Sequence, residues 1–201
     1  ADENLAFTDY FFSEFADIRH CPGRNLMAQD VQDADALLVR SVTQVNEALL
    51  QNSSIKFVGS ATIGTDHLDI AALEQHGIQW SNAAGCNAQA VAEYVITALL
   101  HVRPELVDAN ATFSLGIVGL GNVGTRLAYM AKLLGWRVIG YDPLVQRTQV
   151  DQVEFNELLQ QADAISIHVP LTQTGLYPTY HLFNTATLVQ MQPDAILINS
   201  A

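Results

Sequence analysis

The sequence predicts an α/β fold with two Rossmann-like or flavodoxin-like parallel-sheet domains, the second one incomplete at its carboxyl end. Short apolar stretches of strand length alternate with helical patterns along the whole chain, which is typical of parallel sheets with crossover helices. In the second half, a glycine-rich turn stands between a β-branched stretch and an amphipathic stretch. We therefore predict domains over residues 1–87 and 111–201, joined by a helix and loop over residues 88–110.

The first domain is predicted from three apolar stretches separated by two helical ones. The expected strands are 36–40, 55–59 and 77–81, and the expected helices are 45–51 and 66–75. Gly77 occupies the position of a helix C-cap glycine. Only Ala1 precedes Asp2, so we expect the first strand of this domain to be largely missing. A long helix over 88–100, apolar over much of its surface, should be well buried.

The second domain is predicted from four strands, over 115–119, 137–142, 164–168 and 195–199. Helices are expected over 123–134, 155–162 and 185–191. A nucleotide-binding sheet of this type usually has about six strands. The domain is therefore predicted to be truncated, and the chain stops at the carboxyl end of a strand, where ligands of such folds bind.

Composition and charge exclude several classes of protein. The chain has 201 residues, of which 49% are hydrophobic and 15% charged, as expected for a well-cored globular protein. A net charge of −12 argues against nucleic acid or an anionic membrane as a partner. No apolar stretch approaches the roughly 20 residues of a membrane span, and the acidic start lacks the basic residues of a signal peptide. Cys21 and Cys86 form no disulfide framework or metal spacing, which favours the cytoplasm and no metal.

The glycine-rich turn carries the main functional prediction. Gly119, Gly121 and Gly124 form a G-x-G-x-x-G pattern between a strand and a helix. Gly119 would make the tight turn, Gly121 would let the backbone approach a pyrophosphate, and Gly124 would let the helix pack on the strand. Asp142, 18 positions after Gly124, would accept hydrogen bonds from ribose hydroxyls and repel a 2′-phosphate. The pattern predicts a dinucleotide site that prefers NAD to NADP.

Several further motifs resemble those of the D-2-hydroxyacid dehydrogenases. They are Arg-Ser-Val-Thr-Gln-Val at 40–45, Gly-Thr-Asp-His-Leu-Asp at 64–69, Val-Ala-Glu at 91–93 and His-Val-Pro-Leu-Thr at 168–172. The Gly-Cys-Asn-Ala turn at 85–88 and the loop at 175–182 are similar to one branch of that family. This resemblance implies NAD-dependent oxidation of a small phosphorylated 2-hydroxy acid to its 2-oxo acid, in the synthesis of vitamin B6.

The resemblance also implies roles for single residues. Ser41 and Thr62 match positions that contact substrate, as hydroxyl donors to phosphate or carboxylate oxygens. Asn122 and Val123 would present backbone N–H groups to the pyrophosphate, and the backbone of Val169 would touch the cofactor. The full-length protein is expected to be a homodimer.

The catalytic residues of the family are expected outside this sequence. The family uses an arginine, a glutamate and a histidine, and all three matching positions would lie beyond Ala201. We therefore predict no catalytic residue here and expect the chain alone to be inactive. Two alternatives remain open: another D-2-hydroxyacid dehydrogenase, such as one that acts on 3-phosphoglycerate, or an NAD-binding fragment without catalysis.

Three other residues have two interpretations each. His67 could lie near the substrate, although a helix cap at Asp66 would explain that pair as well. Arg40 could supply positive charge to a phosphate or form a structural ion pair. His168 belongs to the predicted cofactor turn, where its backbone is expected to matter more than its ring.

Overall fold

The computed structural model describes residues 1–108 and 111–201. The end of the predicted connecting loop, residues 109 and 110, therefore lies outside the described residues. The described chain forms two compact units, Ala1–Cys86 and Asn87–Ala201. Both are α/β units with parallel sheets, which confirms the predicted fold class.

The first unit is a three-stranded parallel sheet in the order β1-β2-β3. Its strands are β1 (Ala36–Val39), β2 (Phe57–Ser60) and β3 (Gln79–Asn82). Its helices are α1 (Thr8–Phe12), α2 (Ala28–Val31), α3 (Glu47–Leu50) and α4 (Ile70–Gln75), with one 3-10 turn at Gly23–Asn25. Leucine, isoleucine and valine side chains from these strands and helices form one buried core.

Side-chain caps determine where two helices of this unit begin. The Asn46 side chain accepts a hydrogen bond from the N–H of Leu49 at the start of α3. The Asp69 side chain accepts one from the N–H of Ala72 at the start of α4. The cap is therefore Asp69 and not Asp66, so the expected start of this helix at residue 66 is wrong. The residues between the two aspartates pair with Val45 instead: its N–H donates to the carbonyl of His67, and its carbonyl accepts from the N–H of Asp69, so the helix begins only after Asp69.

The second unit begins with a helix, and helices then separate its strands, except that β6 follows β5 directly. Its helices are α5 (Ala88–Val102), α6 (Asn122–Leu133), α7 (Phe155–Gln161) and α8 (Thr185–Leu188), with a 3-10 turn at Pro104–Val107. Its strands are β4 (Ser114–Val118), β5 (Arg137–Tyr141), β6 (Asp151–Gln152), β7 (Ala164–Ile167) and β8 (Ile196–Asn199).

The second sheet has the order β6-β5-β4-β7-β8, with all pairs parallel. The sequence predicted four of these strands and missed β6. That strand is two residues long and polar, so it lacks the apolar signal on which strand prediction depends. The strand order reverses at β4, and such a switch point is where doubly wound sheets bind ligands.

Helices cover both faces of this sheet. Residues of α5 and α6 pack with Leu115 and Ile117 of β4 in one buried cluster. Residues of α7 pack with Val118 and Ile165 in another. Side chains of β4 point alternately to the two faces of the sheet and so contribute to both clusters, and all five residues of the strand are buried. Among the described residues, no helix combines the length and the apolar character needed to cross a membrane.

Candidate nucleotide and substrate sites

The turn between β4 and α6 is held in a conformation that favours glycine. Gly119 has a φ of +93°, and a Cβ atom there would lie 2.7 Å from the carbonyl oxygen of His168. The N–H of Gly119 donates to the carbonyl of Tyr141 at 2.9 Å. Both the backbone angle and the close neighbour therefore exclude a side chain at Gly119.

The other two glycines of the pattern differ in what surrounds them. A Cβ atom on Gly124 would overlap the carbonyl oxygen of Gly119, so the first turn of α6 packs directly on the glycine-rich turn. A Cβ atom on Gly121 would meet no atom within 4 Å. Gly121 therefore borders open space, which is the room that an approaching pyrophosphate needs.

The amino end of α6 presents backbone N–H groups beside that space. Gly121 is the N-cap, and no side chain caps the helix. The N–H of Thr125 donates to the carbonyl of Gly121 at 3.0 Å, as the first bond of the helical pattern. The N–H groups of Asn122 and Val123 come before that bond, in the part of a helix that leaves donors without a helical partner. Such donors, at the positive end of a 12-residue helix, suit a phosphate.

Asp142 follows β5 and is fixed by three backbone N–H groups. Its Oδ2 accepts from Leu120 at 2.8 Å, and its Oδ1 accepts from Leu144 and Val145 at 3.0 and 3.1 Å. A carboxylate has about four acceptor positions. One position therefore remains for a hydroxyl donor, and the carboxylate is held at the strand end next to the glycine-rich turn.

Gln152 of β6 organises the loop that holds Asp142, and the sequence did not indicate it. Its Nε2 donates to the carbonyl of Val145 at 2.9 Å and to that of Asp142 at 3.2 Å. Its Oε1 accepts from the N–H of Arg147 at 2.6 Å. A single glutamine in a polar stretch carries no sequence signal, so only the folded loop reveals this role.

His168 and Val169 complete the edge of the sheet on the other side of β4. The N–H of His168 donates to the carbonyl of Val118 at 2.8 Å, so its backbone extends the β4–β7 pairing. Its ring nitrogens lie 2.8 Å from the Ser166 hydroxyl and 3.3 Å from the Ser200 hydroxyl. Burial lowers the pKa of His168 to about 4, so the ring is neutral at pH 7. The half-buried Val169 lies against the Gly119 turn.

The first unit brings Ser41 and Thr62 together. Ser41 lies two residues after β1 and Thr62 two residues after β2, and these strands are parallel neighbours with Val39 opposite Ser60. Residues that follow parallel strands lie at the same edge of the sheet. An open cleft of about 420 Å³ lies there, and its lining residues are Ser41, Gln44, Thr62, Gly64, Asp66 and His67.

His67 lines this cleft as a buried residue, and its ring contacts one hydroxyl group. His67 is 4% exposed, and its Nε2 lies 2.9 Å from the Ser60 hydroxyl. Burial lowers the pKa of His67, and the charge of Asp66 opposes that shift. His67 lines the same cleft as Ser41 and Thr62, and its nearness to the substrate stays a prediction. Ser60 and Gln44 were not foreseen, because nothing in their local sequence distinguishes them.

Arg40 forms a structural ion pair. Its Nε lies 3.3 Å from Oδ1 of Asp2, whose side chain is almost fully buried. This geometry favours the ion-pair interpretation over a phosphate contact. Both cysteines are free, Cys21 partly buried and Cys86 exposed. Within residues 1–108 and 111–201, no group of three histidine, cysteine or carboxylate side chains is placed to hold a metal ion.

Comparison with known families agrees with this geometry. The pattern of the family described as "D-isomer specific 2-hydroxyacid dehydrogenase, NAD binding domain" matches residues 103–201, which include the whole β4–α6 turn and Asp142. Residues 103–201 are therefore similar to the NAD-binding domain of the D-2-hydroxyacid dehydrogenases. The predictions of this family and of NAD as its cofactor are both confirmed.

Individual members of the D-2-hydroxyacid dehydrogenases are similar over most or all of the chain. An erythronate-4-phosphate dehydrogenase of Acinetobacter baumannii is 69% identical over 201 residues, covering 100% of this chain and 57% of that protein. One from Pseudomonas putida is 47% identical, covering 100% of this chain and 53% of that protein. The NAD⁺-bound 3-phosphoglycerate dehydrogenase of Entamoeba histolytica superposes with a TM-score of 0.60 at 30% identity, covering 73% of this chain and 50% of that one. The chain thus spans a little over half the length of the curated relatives that it matches.

Proposed function

We propose that this chain belongs to an enzyme that oxidises 4-phospho-D-erythronate to its 2-oxo acid and transfers the hydride to NAD. The observation that carries the proposal is the β4–α6 turn, with open space at Gly121 and a fixed carboxylate at Asp142. The substrate is proposed from the names of relatives that are 64–69% identical over the whole chain. In this reading the protein serves pyridoxine synthesis in the cytoplasm and is a homodimer at full length.

The nucleotide would be held mainly by backbone groups. Gly119 and Gly124 shape the turn, and Gly121 leaves room for the pyrophosphate. The N–H groups of Asn122 and Val123 would donate to it. NAD itself supplies the hydride acceptor, while the protein binds and orients it.

The adenosine ribose and the nicotinamide side would be recognised by two further residues. The remaining acceptor position of Asp142 suits a ribose hydroxyl, and its negative charge would repel the 2′-phosphate of NADP. Val169, beside the glycine-rich turn, is the proposed backbone contact after β7. These two assignments are supported by their placement at the carboxyl ends of strands that flank β4.

The substrate would be bound in the first unit by hydroxyl groups. Ser41 and Thr62 line one cleft at the edge of the sheet and can each donate to an anionic oxygen. A cleft of about 420 Å³ can hold a phosphorylated four-carbon acid. We assign no catalytic residue among the 201, because the arginine, glutamate and histidine expected from the resemblance have no matching position here.

Binding of nucleotides to the 201-residue chain tests the proposal. Isothermal titration calorimetry should show NADH bound more tightly than NADPH. In the protein purified from its native source, 4-phospho-D-erythronate should be oxidised much faster than 3-phospho-D-glycerate. The opposite preference would favour the alternative phosphorylated acid, and NADH binding without turnover of either acid would favour a non-catalytic nucleotide module. If NADH fails to bind at all, the nucleotide site itself is wrong.

A further inference from the structure

Three polar side chains form a continuous hydrogen-bonded chain from the interior of the first unit to its cleft. Nε2 of the buried His67 lies 2.9 Å from Oγ of Ser60, and that oxygen lies 2.8 Å from Oγ1 of Thr62. Ser60 is itself 5% exposed, whereas Thr62 is half-buried and lines the cleft. Both His67 and Thr62 line the cleft, but His67 is only 4% exposed, so Thr62 is the end more accessible to a ligand.

The protons of these two hydrogen bonds can be arranged in two directions. In the first direction, His67 donates from Nε2–H to Ser60, Ser60 donates to Thr62, and the Thr62 proton is free to be donated to a ligand. In the second direction, Thr62 donates to Ser60 and Ser60 donates to a bare Nε2 of His67. Thr62 can then only accept. A hydroxyl has one proton to donate, so the direction decides what Thr62 offers to the cleft.

Ser60 is satisfied in either direction and does not decide between them. Its oxygen has two lone pairs and one proton. It also receives a long contact, 3.4 Å, from the backbone N–H of Thr62. The N–H of Thr62 occupies one lone pair of Ser60. In either direction, one of the His67 ring and the Thr62 hydroxyl then donates to the second lone pair, and the other accepts the Ser60 proton. The direction is therefore set by which ring nitrogen of His67 carries the proton.

An anionic ligand is complementary only to the first direction. Phosphate and carboxylate oxygens at neutral pH are acceptors, so they gain a hydrogen bond only from a Thr62 that donates. Burial lowers the pKa of His67, which favours the neutral ring, and its single proton can sit on either nitrogen. An Nε2–H tautomer makes the chain donate outward.

We propose that His67 is a positioning residue that acts through Ser60: its Nε2–H tautomer orients the Thr62 hydroxyl as a donor to the anionic group of the substrate. The inference deepens the proposed function and rests on it, because it names how the cleft recognises a phosphorylated acid. The role proposed for His67 is exerted through Ser60, so it is that of a positioning residue and not of a catalytic one.

The tautomer of His67 can be measured directly. Long-range ¹H–¹⁵N correlation spectra of the ¹⁵N-histidine-labelled chain should show His67 as the Nε2–H tautomer, without any ligand. The His67 signal is assigned by its loss in His67→Gln. An Nδ1–H tautomer would overturn the proposal, because Ser60 would then have to donate inward. This reading does not depend on the identity of the substrate, so it remains decisive if the proposed function fails.

The effect on recognition is tested with three variants and 4-phospho-D-erythronate as the probe. Ser60→Ala and His67→Leu should each weaken its binding about fivefold, since each leaves Thr62 without an oriented partner. His67→Gln should retain most of the affinity, because its side-chain amide can donate at the place of Nε2. The control is His76→Leu, which removes an exposed histidine paired with Glu47 in the same unit and should change nothing.

Three outcomes separate positioning from a purely structural role. A positioning role requires that NADH affinity and thermal stability remain near wild type in His67→Gln. It also requires that wild type and His67→Gln bind the acid more tightly than His67→Leu and Ser60→Ala. Equal losses in His67→Gln and His67→Leu would overturn it, as would unchanged binding in Ser60→Ala. A wild-type chain that binds NADH but not the acid would reject the proposed substrate, and the tautomer would then decide the inference alone.

Discussion

The two units each place a candidate site at the carboxyl edge of a parallel sheet, but they build it from different groups. In the second unit, the turn after β4 consists of backbone: glycines that exclude side chains and N–H groups that point outward or hold Asp142. In the first unit, the cleft is lined by side chains from separate loops, with His67 and Ser60 behind Thr62.

Because they are built from different groups, the two sites are expected to be sensitive to different kinds of substitution. A backbone-built site is sensitive to added volume, because an extra carbon atom meets a main-chain atom that cannot move cheaply. A side-chain-built site is sensitive to lost donors, because each hydroxyl has one proton and its direction is set by a neighbour. Substitutions can therefore test whether the contrast holds.

Gly124→Ala should have the largest effect on the second unit. Its Cβ would overlap the Gly119 carbonyl, so the helix must shift from the turn. We expect a loss of about 3 kcal/mol in unfolding free energy and a fall of about 6–12 °C in Tm. The measurement is thermal unfolding followed by the fluorescence of the buried Trp136 in a Trp80→Phe background, which reports on this unit alone.

Gly121→Ala is the matched variant in the same turn. A Cβ there meets no atom of the protein, and its φ of −73° suits alanine, so the Tm should stay within about 1 °C of wild type. NADH affinity should nevertheless fall roughly 30-fold or more, about 2 kcal/mol, because the methyl group occupies the space needed by the pyrophosphate. Unchanged NADH affinity would mean that the pyrophosphate does not bind here.

Asp142→Asn tests the side chain that the backbone holds in place. The amide has one acceptor oxygen instead of two and no charge, so NADH binding should weaken by about 1.5 kcal/mol, or roughly tenfold. NADPH binding should weaken less or improve, since the repulsion of its 2′-phosphate is removed. Calorimetric titration of both nucleotides checks this, and an unchanged preference would exclude Asp142 as the selecting residue.

Gln152→Leu should have a smaller effect at the same site. It removes the side-chain bonds that tie down the loop after β5, so Asp142 becomes less well oriented. We expect about 1 kcal/mol, or fivefold, in NADH affinity. The matched control is Gln161→Leu. It removes the hydrogen bonds of this α7 residue with Arg137 of β5 and with Glu157, and it should leave NADH binding unaltered. Equal effects of the two variants would contradict a role for Gln152 in the site.

The smallest expected effect is the pH dependence contributed by His168. Its pKa is about 4 in the folded protein because of burial, against about 6.5 in the unfolded chain. The stability of the neutral folded form is fully present above pH 6.5 and is lost as the pH falls towards 4. Between pH 7.5 and 6.0 this should cost about 0.8 kcal/mol, or about 2–3 °C in Tm.

The His168→Gln variant should lose that part of the pH dependence. His101→Gln, at an exposed histidine of α5, should keep it. Both are followed with the Trp136 signal across the same pH range. A His168→Gln curve parallel to that of wild type would show that another group controls the acid sensitivity of the second unit.

How far sequence reasoning reached can be seen at single elements. Strong apolar periodicity predicted β4, β5, β7 and β8, with ends within one or two residues of those observed. It missed β6, whose pairing with β5 depends on position and not on composition. It extended α8 to residue 191, whereas the helix ends at Leu188. Ser41 and Thr62 came from resemblance, and the parallel register of β1 and β2 explains why they meet.

The sequence by itself determined the glycine-rich turn. A turn without room for side chains requires glycine at fixed positions, and these glycines, followed by an acid after the next strand, can be recognised in the sequence. Only the tertiary structure decided the partners of those residues and the interior of the cleft. Gln152 below Asp142, and His67 and Ser60 behind Thr62, come together through strand order and loop closure. Hydrogen bonds between residues distant in the chain leave no periodic signal, so their geometry had to be seen in the fold.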